Sequence, residues 1–425
     1  MGVTGTAAHR LVDATVTLLD ERGLPLSEQP VRVTQLRHAF TFGCTGFEAI
    51  PLANEELVGG ERDRVATLYA RWLELFNAAT LPFYWGTFER QRGAPDTHRL
   101  RETAGWFADR GVAVKGHPLC WHTETAPWLS DLTDDEIAAA QVARIRREVE
   151  DFRGLIDTWD VINEAVIMPV FDRYENGITR VAREVGRVGM VRLAFQAARA
   201  ANPEAILLIN DFDLSADYER LIEGCLDAGI TIDAIGIQSH MHQGYWGEER
   251  TLELIERYAR FGLPLHWTES TLVSGELMPP EIVDLNDYQA AEWPNTPDGE
   301  VRQADEVERH YRTLVGHPAV AAITWWGLPD GGWLNAPSGL IRVDGSRKPA
   351  YEVLRRLIKD EWWLAPTELR TDPAGRVRFQ GFPGTYQVRV SERSAVFVLE
   401  TPGEAVVRVP PLGDIASRSP AAMDR

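Results

Sequence analysis

From Phe40 onward the chain alternates between two hydrophobic periodicities, and this restricts its fold more than any other feature. Short apolar, β-prone runs fall at residues 39–43, 75–80, 112–117, 155–164, 205–211, 233–240, 262–269 and 320–326. Between them lie segments of helical spacing at 61–72, 98–110, 133–152, 180–201, 217–229, 251–261, 303–315 and 349–360. Period-2 runs taking turns with period-3.6 runs make βα units. Eight such units predict a (β/α)8 TIM barrel in the α/β class. A doubly wound open sheet is the competing solution, but it would carry a glycine-rich first turn, and none is present. Thr133 with Glu136 reads as a capping box that starts the long third helix.

The 425 residues exceed what such a barrel needs, about 250. The surplus lies at both ends. Residues 14–19 and 30–36 alternate like strands and read as an antiparallel pair. After residue 364 four more short alternating runs follow, at 376–379, 385–390, 395–399 and 405–409. Four strands bury little alone. Residues 10–37 are therefore expected to join 366–411 in one small β-sandwich. The expected division is an N-terminal β segment at 1–37, the barrel at 38–364, a C-terminal β segment at 365–411 and a disordered tail at 412–425.

The net charge of −19 argues against nucleic acid and anionic membrane as partners and suits a neutral substrate. No apolar run is long enough to span a bilayer. The opening residues lack a charged head followed by an apolar core. The expectation is a cytoplasmic protein as written, or a secreted one if an export signal belongs to it. Cys44, Cys120 and Cys225 show neither metal spacing nor a disulfide framework, and packing is the expected role. His117, His122, His240 and His242 lack the helical spacing of a zinc hydrolase, so neither metal nor cofactor is expected. The 14 tryptophans exceed what a core requires and fit a carbohydrate cleft.

Polar residues collect at the carboxyl ends of the runs: Asn77, His117, Asn163-Glu164, Asn210-Asp211, Gln238 to His240, and Glu269. In this barrel that face carries the chemistry. Glu164 and Glu269 each end an apolar run, on different strands. Two carboxyl groups facing one another across a pocket are what cleavage of a glycosidic bond requires.

Trp159-Asp160-Val161-Ile162-Asn163-Glu164 resembles the acid/base signature of glycoside hydrolase family 10, whose best-known members are endo-β-1,4-xylanases. Residues 115–122 resemble its third-strand motif. Residues 210–213, 235–240, 268–269 and 324–327, then Asp330 and Trp333, follow in the family's order. The resemblance covers roughly residues 38–360. It implies Glu164 as general acid/base and Glu269 as nucleophile of a retaining hydrolase, with carboxyls about 5–5.5 Å apart. It also implies sugar contacts from Asn163, His117, Trp121, Gln238, His240, Trp326 and Trp333, with Asn77 and Asp330 as further candidates. Trp85, Trp128 and Trp246 either extend the cleft or pack.

The pattern departs from the family at three places. The acid–amide pair and lysine that usually follow the second strand are missing, and Leu81-Pro82-Phe83-Tyr84-Trp85 stands there. Thr271 replaces an aspartate two residues beyond the nucleophile, and Phe212 replaces a tyrosine. Xylan or xylo-oligosaccharides are the family default. The aromatic loop suits instead a β-glycosidase of decorated small molecules such as saponins. A barrel that binds carbohydrate without catalysis is the third reading, and the presence of both glutamates opposes it.

Overall fold

The structure, a computed structural model, describes residues 7–288, 290–400 and 403–410. Eight parallel strands close into a barrel in the order β10-β3-β4-β5-β6-β7-β8-β9. They are β3 (Thr41–Thr45), β4 (Ala78–Pro82), β5 (Ala113–His117), β6 (Thr158–Asn163), β7 (Ile206–Asp211), β8 (Ala234–Met241), β9 (Leu265–Leu272) and β10 (Val320–Trp325). The alternation seen in the sequence is thus a (β/α)8 barrel. Large apolar side chains such as Phe42, Trp159, Trp267 and Trp325 are fully buried in its core. The helix Asp134–Asp151 starts at the expected capping box: Thr133 accepts from Glu136 N, and the Glu136 side chain accepts from Thr133 N.

The strands from the two ends of the chain form two further sheets. One has the order β12-β1-β15 and the other β11-β2-β13-β14. Here β1 is Val12–Leu19, β2 is Pro30–His38, β11 is Thr367–Arg370, β12 is Arg376–Gly381, β13 is Gly384–Val390, β14 is Arg393–Leu399 and β15 is Gly403–Arg408. Both sheets share one apolar core of Val16, Leu18, Val33, Tyr386, Val388 and their neighbours. The N-terminal strands do not pair with each other as expected. Each is buried on one face only, and placing them in opposite sheets lets Val12, Ala14, Val16 and Leu18 meet Val31 and Val33 across the core. Because β2 runs straight into β3, the sandwich stands at the amino-terminal end of the barrel strands. The expected tail at 412–425 lies outside the described residues.

One site residue is corrected by the strand boundaries. The helix Gly59–Leu75 runs further than its periodicity suggested, and β4 begins only at Ala78. Asn77 therefore sits before its strand, at the end of the barrel away from the other polar residues. Its Nδ2 donates to the carbonyls of His38 and Phe40, each at 2.9 Å, and its Oδ1 accepts from Phe42 N at 2.9 Å. It fastens the link between sandwich and barrel and is no sugar ligand.

Gly116 in β5 shows how little room is left between the barrel strands and the helices around them, where the Trp159 ring packs on Phe83 and Phe152. A Cβ there would lie 2.1 Å from the Trp159 ring. Gly116→Ala is expected to destabilise the protein by about 3 kcal/mol, since overpacking a rigid core typically costs 1–3 kcal/mol. Urea denaturation against the wild type checks this.

Candidate active site

Two slips of strand register build the site. Between β6 and β7 the ladder shifts between Asp160 and Ile162. Between β8 and β9, Ile237 faces Trp267 while Gln238 faces Glu269, leaving Thr268 as an extra residue. In a regular strand, residues an odd number apart point to opposite faces. The bulges break that rule. Asp160 and Asn163 both join the polar network above the core, and adjacent Thr268 and Glu269 both reach Asn210.

Asn210, at the end of β7, is the centre of that network. Its Nδ2 donates to Asn163 Oδ1 and to Glu269 Oε1, each at 2.8 Å. Its Oδ1 accepts from Thr268 Oγ1 at 2.6 Å, and its carbonyl accepts from Glu164 N at 2.9 Å. Glu164 has a left-handed backbone, φ 57°, which costs a non-glycine residue about 1 kcal/mol and persists only where surroundings enforce it. Its Oε2 accepts from Trp121 Nε1 at 2.8 Å, and its Oε1 accepts from Asn163 Nδ2 at 3.2 Å and from Gln238 Nε2 at 3.4 Å.

The two carboxyls titrate in opposite directions. Burial, followed by the nearby Asp211 and Glu269 charges, pushes Glu164 up to about 8 against the pull of its Trp121 and Gln238 hydrogen bonds. Burial acts on Glu269 as well. The fields of His117 and His240 and the hydrogen bond from His240 outweigh it and leave Glu269 below the usual carboxylate range. His240 Nε2 is 3.1 Å from Glu269 Oε2, and His117 Nε2 is 4.0 Å from Oε1. Asp160, behind them, is also buried, but Lys115 and His117 hold it down at about 2. As an anion it can only accept, so His117 Nδ1–H donates to it, at 2.7 Å, and the ring orientation is fixed.

Aromatic rings complete the site. Trp326 packs edge-on to His117 at 5.0 Å between centroids, and Trp333 lies against His240 at 4.2 Å. Tyr84, in the loop after β4, packs 5.7 Å from His117 and 5.6 Å from Trp121. Thus His117, Trp121, Asn163, Glu164, Gln238, His240, Glu269, Trp326 and Trp333 are brought together. Asp330 is not available to a ligand. Its Oδ1 accepts from Lys348 Nζ at 2.5 Å and Gly339 N at 2.9 Å, and its Oδ2 accepts from Asn295 at 2.8 Å, so it anchors the loop that carries Trp333. Trp85 and Trp128 pack on one another at 5.5 Å, with the Arg144 guanidinium over Trp85, behind the loop after β4. His122 and His242 are fully buried, and burial lowers both to about 3.

Sequence reasoning left three of these groups without a role. Asn210 was visible as an Asn-Asp pair ending a strand. Asp160 lay inside the motif, one bulge away from facing inward. Tyr84 gave no signal except that the usual polar residues were missing around it.

The model of the family described as glycosyl hydrolase family 10 matches residues 77–356. The chain belongs to glycosyl hydrolase family 10. It is a glycoside hydrolase. Among its relatives is a β-1,4-xylanase of Dictyoglomus thermophilum, 30% identical over 245 residues, which are 54% of this chain and 64% of that protein. Endo-1,4-beta-xylanase B of Thermotoga neapolitana is 25% identical over 294 residues, 65% of this chain and 78% of its own. In fold, the chain is similar to a GH10 structure from Paenibacillus barcinonensis with a TM-score of 0.61 and 23% identity, over 75% of this chain and 94% of that one.

Two measurements test the network. Asn210→Ala removes the donor shared by Asn163 and Glu269, and is expected to lower kcat/KM by on the order of 10²-fold with the fold retained, read by steady-state assay beside circular dichroism. The second concerns pH. Burial raises Glu164 to about 8, Asp211 to about 7 and, despite Arg144 and Arg147, Glu148 to about 7. Unfolded carboxyls titrate near about 4. Between those values the folded chain holds protons that the unfolded chain releases, so stability falls as pH rises through the window. Asp160, held at about 2, acts oppositely and loses its contribution below about pH 4. The melting temperature should peak near pH 4–5 and decline toward pH 8, and Glu164→Gln should flatten that decline.

Proposed function

We propose that this protein hydrolyses β-1,4-xylosidic bonds in xylan or xylo-oligosaccharides with retention of anomeric configuration. The observation that carries the reading is the split between the two carboxyls. Glu164 keeps its proton up to about pH 8, whereas Glu269 is ionised across the working range. Retaining hydrolysis asks for that division of roles. Glu269 attacks the anomeric carbon while Glu164 gives its proton to the leaving oxygen. A glycosyl–enzyme ester forms and the bond to the leaving group breaks. Glu164, now the anion, takes a proton from water, which attacks the same carbon and releases Glu269. His240 and Asn210 hold the nucleophile's oxygens meanwhile. Asn163, whose Nδ2 donates to Glu164 Oε1 and whose Oδ1 accepts from the same Asn210 amide that donates to Glu269, is the amide assigned to the sugar 2-hydroxyl. The xylose preference rests on the family and on relatives that carry the name xylanase.

A second reading, a β-glycosidase of decorated small molecules, draws support from Tyr84, which puts an aromatic ring where typical family members carry charged and amide groups.

Proton NMR during hydrolysis of an aryl β-xyloside should show the β-anomer first. Inversion would exclude Glu269 as nucleophile. Glu269→Ala should lose on the order of 10⁴-fold or more in kcat, as removal of a nucleophile typically does. On substrates whose leaving group needs no protonation, Glu164→Gln should spare kcat/KM, which reports formation of the ester, and lower kcat, because water then lacks its base. The wild-type kcat/KM should fall above about pH 8 as Glu164 loses its proton.

A further inference from the structure

The barrel mouth is divided into two chemically distinct halves. β6 to β9 supply the carboxyls and amides described above. The other four strands, consecutive in the order β10-β3-β4-β5, end in rings: Trp326 after β10, Phe47 after β3, Tyr84 after β4 and His117 at the end of β5. These rings form a closed circuit. Phe47 to Tyr84 is 6.1 Å between centroids, Tyr84 to His117 5.7 Å, His117 to Trp326 5.0 Å, and Trp326 back to Phe47 5.9 Å. A pyranose passing between two rings would need about 7–8 Å, two contact distances of about 3.5–4.0 Å. No adjacent pair in the circuit leaves that gap.

The circuit is also held rigidly. Phe83 N donates to His117 O at 2.6 Å, and Phe83 O accepts from Arg144, whose guanidinium also donates to Leu119 O. Gly86 N donates to Glu124 O at 3.0 Å. Tyr84 is thus tied at both sides to the loop after β5. Arg144 itself is 2% exposed.

The position of the wall matters because of where the leaving group departs. Glu164 extends from β6, and the proton it gives goes to the aglycone oxygen. In the eight-strand ring, β10 stands four strands from β6 in either direction. Trp326, Phe47 and Tyr84 follow strands four, three and two places from β6, and only His117 stands next to it; the wall that Phe47 and Trp326 anchor therefore lies toward the end of the reactive sugar away from its aglycone, the end from which a longer glycone would continue. We propose that the site accepts a single sugar on its glycone side, with Tyr84 and Phe47 closing the space a second would occupy, so that the enzyme removes terminal residues rather than cutting inside a chain. Among the described residues none bonds the Tyr84 hydroxyl. Burial and the charges of Glu269, Glu124 and Glu164 keep it protonated, so it is free to donate to a hydroxyl of that terminal sugar.

This deepens the hydrolase reading above and rests on it. The test compares aryl β-xyloside with aryl β-xylobioside, and aryl β-glucoside with aryl β-cellobioside, with products identified by chromatography. The wild type should cleave the monosaccharide glycosides and release no disaccharide from the other two. Tyr84→Ala should raise the kcat/KM ratio of disaccharide to monosaccharide substrate by about tenfold or more, the discrimination a filled pocket commonly provides. Tyr84→Phe, which keeps the ring, should not. If Tyr84→Ala fails to fold, the wild-type products still decide. Early release of xylobiose or cellobiose by the wild type overturns the single-sugar proposal and leaves the hydrolase reading standing. Absence of hydrolysis on all four substrates overturns both.

Discussion

The side-chain amide of Asn210 is the constraint on which the rest of the site depends. An amide offers two donors and one acceptor oxygen, and Asn210 uses all three toward two other strands: Asn163 on β6, and Glu269 and Thr268 on β9. Its backbone carbonyl adds Glu164. One residue therefore sets the positions of both carboxyls relative to each other. The neighbouring strand makes room for it. A Cβ at Gly236 would come within 2.4 Å of Asn210 Oδ1, so only glycine lets the amide lie flat between β7 and its neighbours.

Electrostatics follow from that placement. Both glutamates are buried, and burial alone would raise both. The difference is in the neighbours. Glu269 faces two imidazoles, with His117 fixed from behind by Asp160 and Lys115. Glu164 faces an indole N–H and amides, which donate hydrogen bonds but carry no charge, and it feels Asp211 and Glu269 besides. A proton is therefore retained on one side of the site and excluded from the other. The aromatic half of the mouth supplies low-dielectric walls that strengthen both effects. The accessory sandwich takes no part in this. It joins at the opposite end of β3, and Arg10 and Asn77 tie the two bodies together there.

Much of this was legible in the residues. Eight apolar runs announced eight strands, and polar residues at their ends marked the face to inspect. Glu164 and Glu269 needed no coordinates to be singled out. Asn77 misled because its neighbours on both sides were apolar, so the helix end and the strand start could not be told apart; a shift of a few residues moved it to the wrong end of the barrel. Asp330 misled because a motif position says nothing of partners, and Lys348, Gly339 and Asn295 occupy its oxygens. The N-terminal strands misled because alternation shows that one face is buried without showing against what.

The sequence by itself determined the kinds of elements, their order and which strands would end in acids and amides, because periodicity and strand-end chemistry are local properties. Only the tertiary structure decided how those ends are aimed. The bulges at β6 and β9 override strict alternation, and they arise from pairing with neighbouring strands, which no local pattern records. The ring circuit of Phe47, Tyr84, His117 and Trp326 is likewise a product of closure: its members are scattered along the chain and meet only because β10 pairs with β3. Closure of the barrel is thus the step that turns four unrelated aromatic positions into one wall.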